Sequence, residues 1–242
     1  MHSFSRTTGI SVVVANMVGT GVFTSLGFQL LGIQSPFVLM MLWLVGGLTA
    51  LCGALTYAEL GANLPRSGGE YNFLSRLYHP CAGFISGWVS ATVGFAAPVA
   101  LAAMTFAAYL SAVFPELNRT WSAVSLVLIL TLAHCLSRRA SSSVQQIFTA
   151  LKLLLILLFC AVILIWGNSP QSLNFAPQAG DGQLLFSGAF AVALIYVNYA
   201  YTGWNAATYV TGELENPQRN LPVVLAVGTA LVLLLYLLLN YT

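Results

Sequence analysis

The sequence predicts an all-α protein, a polytopic bundle of membrane-spanning helices. Three observations carry that prediction. Charged residues make up 6 % of the 242 positions, against roughly a quarter in ordinary globular chains. Hydrophobic residues make up 58 % and the mean hydropathy is +0.85, so too few charges exist to cover a water-facing surface and lipid must solvate most of the chain. The apolar residues also come in continuous runs rather than in alternation, which suits helices and does not fit a β-barrel. A scattered net charge of +2 points to no nucleic-acid partner.

A spanning helix needs about 20 mostly apolar residues, because each adds about 1.5 Å across a core about 30 Å thick. Seven runs meet or approach that length, and together they read as one transmembrane domain over residues 1–242. Ile10–Leu31 opens after a single arginine, Arg6, and lacks a small-residue cleavage pattern, so it reads as a retained span rather than a signal peptide. Phe37–Leu60 follows. Ala82–Phe114 is long enough to tilt or to run past the headgroups, and Gly83-x-x-x-Gly87 near its start suits a close helix contact better than a dimer interface. Trp121–Leu136 is short. Ile147–Trp166 holds Lys152, the one lysine of the chain; Phe186–Val210 and Leu221–Tyr241 complete the set. Between the last two, Pro217 is expected to end one helix and Pro222 to open the next.

Orientation follows from the links. A cytoplasmic N-terminus puts Arg6, Arg66, Arg76, Arg138, Arg139 and Arg219 inside and Arg119 outside, as the positive-inside rule requires. The bilayer expected to hold the chain is the inner, cytoplasmic membrane of a cell.

Two spans are interrupted. The first reads Asn16-Met17-Val18-Gly19-Thr20-Gly21-Val22-Phe23, with two glycines around a threonine halfway through an apolar run. Taken alone, this motif is better accounted for by close packing through small residues than by a helix break. The sixth span, however, carries Tyr199-Ala200-Tyr201-Thr202-Gly203-Trp204-Asn205 midway along its own run. Paired interruptions in corresponding spans point to a transporter built from inverted repeats. A broken helix frees N–H groups, which suit a carboxylate, and carbonyls, which suit an ammonium or a sodium ion. An α-amino acid presents both charges and is the ligand expected.

Three stretches carry a family resemblance. Ala54-Leu55-Thr56-Tyr57-Ala58-Glu59-Leu60-Gly61-Ala62-Asn63-Leu64-Pro65-Arg66-Ser67-Gly68-Gly69-Glu70-Tyr71 resembles the second-span signature of the amino acid–polyamine–organocation superfamily. Gly19-Thr20-Gly21-Val22-Phe23 is similar to its first-span motif. Gly203-Trp204-Asn205 and the link Glu213-Leu214-Glu215-Asn216-Pro217-Gln218-Arg219-Asn220-Leu221-Pro222 resemble its L-type amino acid transporter branch.

The resemblance implies a LeuT-type inverted-repeat fold of about twelve spans. This chain would then hold the first repeat and the first two helices of the second, an N-terminal part of a longer carrier. It further implies that the backbone at Gly19, Thr20 and Gly21 takes the substrate carboxylate, and that carbonyls near Met17, Tyr199 and Thr202 take its amino group. Tyr199 would gate the substrate, and Asn205 would support the sixth-span break beside Gly203. Thr202 stands where relatives often have glycine, which leaves the local backbone path open. The implied activity is secondary transport of amino acids, as a proton symporter or an exchanger.

On its residues alone, Lys152 either snorkels to the cytoplasmic interface or points into the bundle, where it needs carbonyl partners. Proton-coupled and exchanging members of the family carry a fifth-span lysine in this context, where sodium-dependent relatives hold a cation between the first, fifth and eighth spans. The resemblance thus implies a coupling role for Lys152 in place of sodium. Because the span centres otherwise hold no acid or base, neutral L-amino acids are favoured.

Other readings are bland. Glu59, Arg66, Glu70, Arg76, Glu213, Glu215 and Arg219 read as interfacial structural charges, and Asn118-Arg119-Thr120 as a chance glycosylation triplet. His2, His79 and His134 and the cysteines Cys52, Cys81, Cys135 and Cys160 show no metal or catalytic spacing, so no metal and no cofactor is expected. Catalytic motifs are missing too, and an enzyme is not expected. The predicted outer links hold no cysteine, so no disulfide-linked heavy chain is expected; the substrate, protons and lipid are the partners. The competing reading is a non-transporting seven-helix protein, receptor-like or an assembly subunit, if Thr242 is the native end. The predicted cytoplasmic N-terminus and a seventh span without lysine oppose the receptor.

Overall fold

A computed structural model describes residues 5–136, 138–167 and 174–242, with the side chains at 24, 134, 136 and 138–145 outside that description. In chain order the helices are α1 (Arg6–Met17), α2 (Gly21–Leu30), α3 (Pro36–Asn63), α4 (Glu70–Leu77) and α5 (Pro80–Val89). A π turn (Ser90–Gly94) leads to α6 (Ala96–Val113), α7 (Arg119–Leu136) and α8 (Arg138–Trp166). Then come α9 (Asp181–Leu185), α10 (Gly188–Ala200), α11 (Ala206–Tyr209), a 3₁₀ turn (Thr211–Glu213) and α12 (Pro217–Tyr241). Among the described residues α3, the run Pro80–Val113, Gln146–Trp166 and α12 are long and apolar enough to cross a bilayer, and the bent pair α1–α2 makes a fifth. Arg119–Ala133 and Gly188–Ala200 are apolar but shorter. The chain is an all-α, multi-pass membrane protein.

Local chemistry sets the helix starts. Ser5, Ser35 and Ser187 accept the amides of Thr8, Val38 and Phe190, and Pro36 and Pro80 open α3 and α5 where no intrahelical N–H is missed. Asn118 Oδ1 accepts the amides of Thr120 (3.0 Å) and Trp121 (3.2 Å), so the asparagine of the glycosylation triplet caps the start of α7.

The link before the seventh run departs from the sequence expectation. Pro217 begins α12 instead of ending a helix, and Pro222 lies inside it. The turn is made by Asn216, whose left-handed φ of 44° lets its carbonyl accept from Arg219 and Asn220. At Pro222, past the first turn of α12, the missing N–H removes one intrahelical bond. Helix α8 likewise starts at Arg138, ahead of the apolar run at Ile147, because the polar stretch before it continues the helix.

The described chain forms two compact units, Met1–Gly69 with Thr149–Thr242, and Glu70–Phe148. In the first, α12 packs along α3 and α1, and α10 against α2 and α3. Glycines set the approach: a Cβ on Gly228 would lie 2.8 Å from Val13 Cγ1, and one on Gly9 2.9 Å from Val224 Cγ2. Lipid tails are as apolar as leucine, so this close packing, rather than exclusion from water, holds such helices together. In the second unit α4 packs on α5, and a Cβ on Gly83 would lie 2.7 Å from the Tyr71 carbonyl. The Gly83-x-x-x-Gly87 pair is therefore an intrachain contact.

Candidate substrate site at two paired helix breaks

Helix α1 ends where Val18 turns extended (φ −77°, ψ 91°) after donating to the Val14 carbonyl. Gly19 and Thr20 follow, and α2 leaves at 42° to α1. The break thus sets the last carbonyls of one half-helix beside the first amides of the next, groups that no intrahelical bond satisfies.

The sixth span breaks in a related way. After α10, Thr202 donates to the Tyr199 carbonyl from both its amide (3.1 Å) and its hydroxyl (2.7 Å), and Ala206 N donates to Gly203 O (3.0 Å) as α11 starts. Gly203 has φ +106°, and a Cβ there would lie 2.8 Å from the Asn16 carbonyl carbon and oxygen. Only glycine meets both conditions. From the other side, a Cβ on Gly21 would come within 3.0 Å of Ala200 Cα. The two breaks lie against each other, each glycine admitting the other's backbone.

Two side chains bind the freed carbonyls. Tyr236 of α12, wholly buried, places its hydroxyl 2.8 Å from Met17 O and 3.2 Å from Ala200 O. Its ring meets Trp43 edge-on at 5.5 Å and Tyr201 at 5.0 Å, while Tyr201 donates to the Trp43 carbonyl and Trp43 Nε1 to Gln29 Oε1. The second is Lys152, whose ammonium donates to the carbonyls of Ala15 (2.7 Å) and Val18 (2.6 Å). Lys152 points into the bundle and does not snorkel. A cation at a helix C-terminus contributes about 0.3–2 kcal/mol through the dipole alone, and charged hydrogen bonds about 1.5–3 kcal/mol more.

The nine residues singled out in the sequence fall at these breaks or bind them, but they are not equivalent. Gly19 and Thr202 are exposed, as are the side chains of Tyr199 and Phe23. Met17 is buried and its carbonyl already accepts from Tyr236; the Tyr199 carbonyl already accepts from Thr202. Gly203 is a wedge between backbones. Asn205 donates to the Tyr209 hydroxyl at 3.1 Å. Thr20 and Gly21 open α2, beside the C-terminus of α10. Among the described residues no group of three or more His, Cys, Asp or Glu side chains is placed to hold a metal.

Sequence reasoning missed Tyr236. Its signal was present: a lone phenol within Leu231-Val232-Leu233-Leu234-Leu235-Tyr236-Leu237-Leu238-Leu239 needs a hydrogen-bond partner inside the protein.

The family described as "Amino acid permease" matches residues 4–242. Human "b(0,+)-type amino acid transporter 1" is 34 % identical over 241 residues, which cover 96 % of this chain and 49 % of the human protein. Mouse "Large neutral amino acids transporter small subunit 2" is 33 % identical over 237 residues, 95 % of this chain and 45 % of the mouse protein. The chain spans about half the length of the curated relatives it matches.

Proposed function

This chain belongs to the amino acid permease family, and from that premise we propose that it works in a secondary carrier moving amino acids across a membrane by alternating access. The observation that supports this most is the pair of facing breaks. On their exposed side the first amides of α2 suit an α-carboxylate, and backbone carbonyls at the end of α10 suit an α-ammonium. Substrate binding falls to Gly19, Thr20 and Gly21 for the carboxylate and to the Tyr199–Thr202 turn for the amino group. Tyr199, its ring exposed, covers the bound molecule. Met17, Gly203 and Asn205 shape the breaks.

Neutral L-amino acids are the substrate class. Apart from Lys152, already held by the carbonyls of Ala15 and Val18, the middle of the described spans carries no acid or base to receive a charged substrate side chain, and the mouse relative's name refers to large neutral amino acids. Lys152 supplies the positive charge that a sodium ion would bring to the end of α1, so the carrier runs without sodium, as a proton symporter or an exchanger. The chain sits in the cytoplasmic membrane with its N-terminus inside and needs no disulfide-linked partner.

Counterflow in liposomes tests the whole reading. The native-length protein is reconstituted and offered a panel of labelled amino acids, with sodium omitted and an imposed pH gradient varied. Sodium-free counterflow of neutral amino acids is expected. Silence across the panel from folded, inserted protein refutes the carrier reading, and a strict sodium requirement refutes the role given to Lys152.

A further inference from the structure

The link after α3 reads Leu64-Pro65-Arg66-Ser67-Gly68-Gly69, and its last residues grip the half of the sixth span that follows the break. Ser67 Oγ accepts the Gly212 amide at 2.9 Å, and the Gly69 amide donates to the Thr208 carbonyl at 3.3 Å. The fit is close on both sides. Gly69 is buried with φ +48°, and a Cβ there would lie 2.7 Å from Tyr209 Cε1 and 2.9 Å from Thr208 Oγ1. A Cβ on Gly212 would lie 3.0 Å from Ser67 Oγ.

The gripped segment also packs on α1 and α12, with Ala207, Thr208 and Thr211 buried, but its own helix is short. Helix α11 has 4 residues, far too few to be stable on its own bonds. Its local ties are short backbone bonds, such as Thr208 N to Asn205 O (2.9 Å) and Glu213 N to Val210 O (2.9 Å), and side-chain bonds: Thr208 Oγ1 to Asn205 O (2.6 Å), Asn205 Nδ2 to the Tyr209 hydroxyl (3.1 Å), and Thr211 Oγ1 to Thr208 O (3.0 Å). All of these bonds lie within residues 205–213. The contacts from Ser67 and Gly69 instead tie the segment to the link that follows a different span, the long unbroken α3.

We infer that Ser67 and Gly69 are positioning residues, a clasp that fastens the segment Ala206–Glu213 to the end of α3 and so sets the geometry of the break before it. The functional consequence rests on the carrier reading above. Any alternating-access step that moves this half-helix must open the clasp or carry the end of α3 along. Weakening it shifts the balance between the carrier's states. Neither residue lies at the breaks, so the effect enters through position and not through contact with substrate.

The test uses the native-length protein with Ser67→Ala and Ser67→Thr, read by hydrogen–deuterium exchange over residues 206–213 and by counterflow kinetics. Ser67→Ala removes one hydrogen bond, so exchange in the segment should rise by about three- to tenfold. Apparent KM should shift by a similar factor while the maximal rate changes less. Ser67→Thr keeps the accepting oxygen and should restore both. Gly69→Ala adds a forced backbone and a steric clash and should loosen the segment further; if it fails to fold, the Ser67 pair still decides. Unchanged exchange in Ser67→Ala overturns the clasp even if transport is intact. Raised exchange in a protein that carries none of the panel upholds the clasp and refutes the carrier reading. Raised exchange with an unmoved KM in an active carrier overturns the positioning role.

Discussion

The phenolic oxygen of Tyr236 stands 2.8 Å from the carbonyl oxygen of Met17, the last residue of α1, and 3.2 Å from that of Ala200, the last of α10. One hydroxyl on an unbroken helix therefore joins the ends of two broken ones. Its single proton is shared, so both carbonyls keep capacity for a further donor. That arrangement holds the two breaks together.

Tyr236→Phe keeps the ring contacts with Trp43 and Tyr201 and removes only the hydroxyl. Two buried carbonyls lose their donor, at a cost of about 1–3 kcal/mol. A lower Tm in detergent and a raised KM in counterflow are expected together. A Tm and KM like those of the wild type would show that the hydroxyl does not brace the breaks.

Gly203→Ala tests the wedge. The new Cβ would sit 2.8 Å from the Asn16 carbonyl, and φ +106° suits no L side chain. Backbone cannot swing aside as a flexible side chain can, so about 1–3 kcal/mol of strain adds to the clash. Expression as a monodisperse membrane protein should fall sharply, as size-exclusion chromatography would report. Gly19→Ala is the control, because nothing lies within 4 Å of its Cβ position.

Asn220 ties the start of α1 to α12. Its Oδ1 accepts from Arg6 Nε at 2.6 Å, and its Nδ2 donates to the Glu215 carbonyl. Asn220→Asp keeps the acceptor and adds a charge opposite Arg6, whereas Asn220→Leu loses both bonds. Hydrogen exchange over residues 6–10 should therefore rise in the leucine variant and stay near wild type in the aspartate variant. Equal exchange in the two would show that Arg6 does not anchor α1.

These relationships separate what was legible in the sequence from what was not. The interruptions at Gly19–Gly21 and Thr202–Gly203 stand out because glycine and threonine break long apolar runs, and the structure ends α1 and α10 at those places. The choice between an inward and a snorkelling Lys152 was not legible, because the partners are backbone carbonyls of α1, far away in sequence and without a side-chain signature. Ser67 was hidden for a similar reason, and for Tyr236 the need of a partner was legible but not which carbonyls supply it: each acts on main-chain atoms of another span. Pro217 and Pro222 were read in the wrong order because proline suits the first turn of a helix as well as the residue after its end. The left-handed Asn216 decides between the two, and no residue type announces that conformation uniquely.

Lys152 carries the sharpest functional prediction. Its ammonium donates to Ala15 O and Val18 O at the end of α1, so Lys152→Ala leaves two carbonyls without a donor where the half-helix dipole is negative. Each lost charged bond costs about 1.5–3 kcal/mol, and about 1.4 kcal/mol is a factor of ten in rate. Neutral amino acid uptake should therefore fall by about tenfold or more in Lys152→Ala, and its response to an imposed pH gradient should vanish. Lys152→Arg keeps the charge but replaces a compact ammonium by a planar fork, and should recover part of the activity. Sodium is the informative addition. If it restores uptake to Lys152→Ala but leaves the wild type unmoved, the ammonium stands in for a metal cation at the end of α1. Full proton-dependent uptake in Lys152→Ala removes the lysine from the coupling mechanism and leaves it a structural brace.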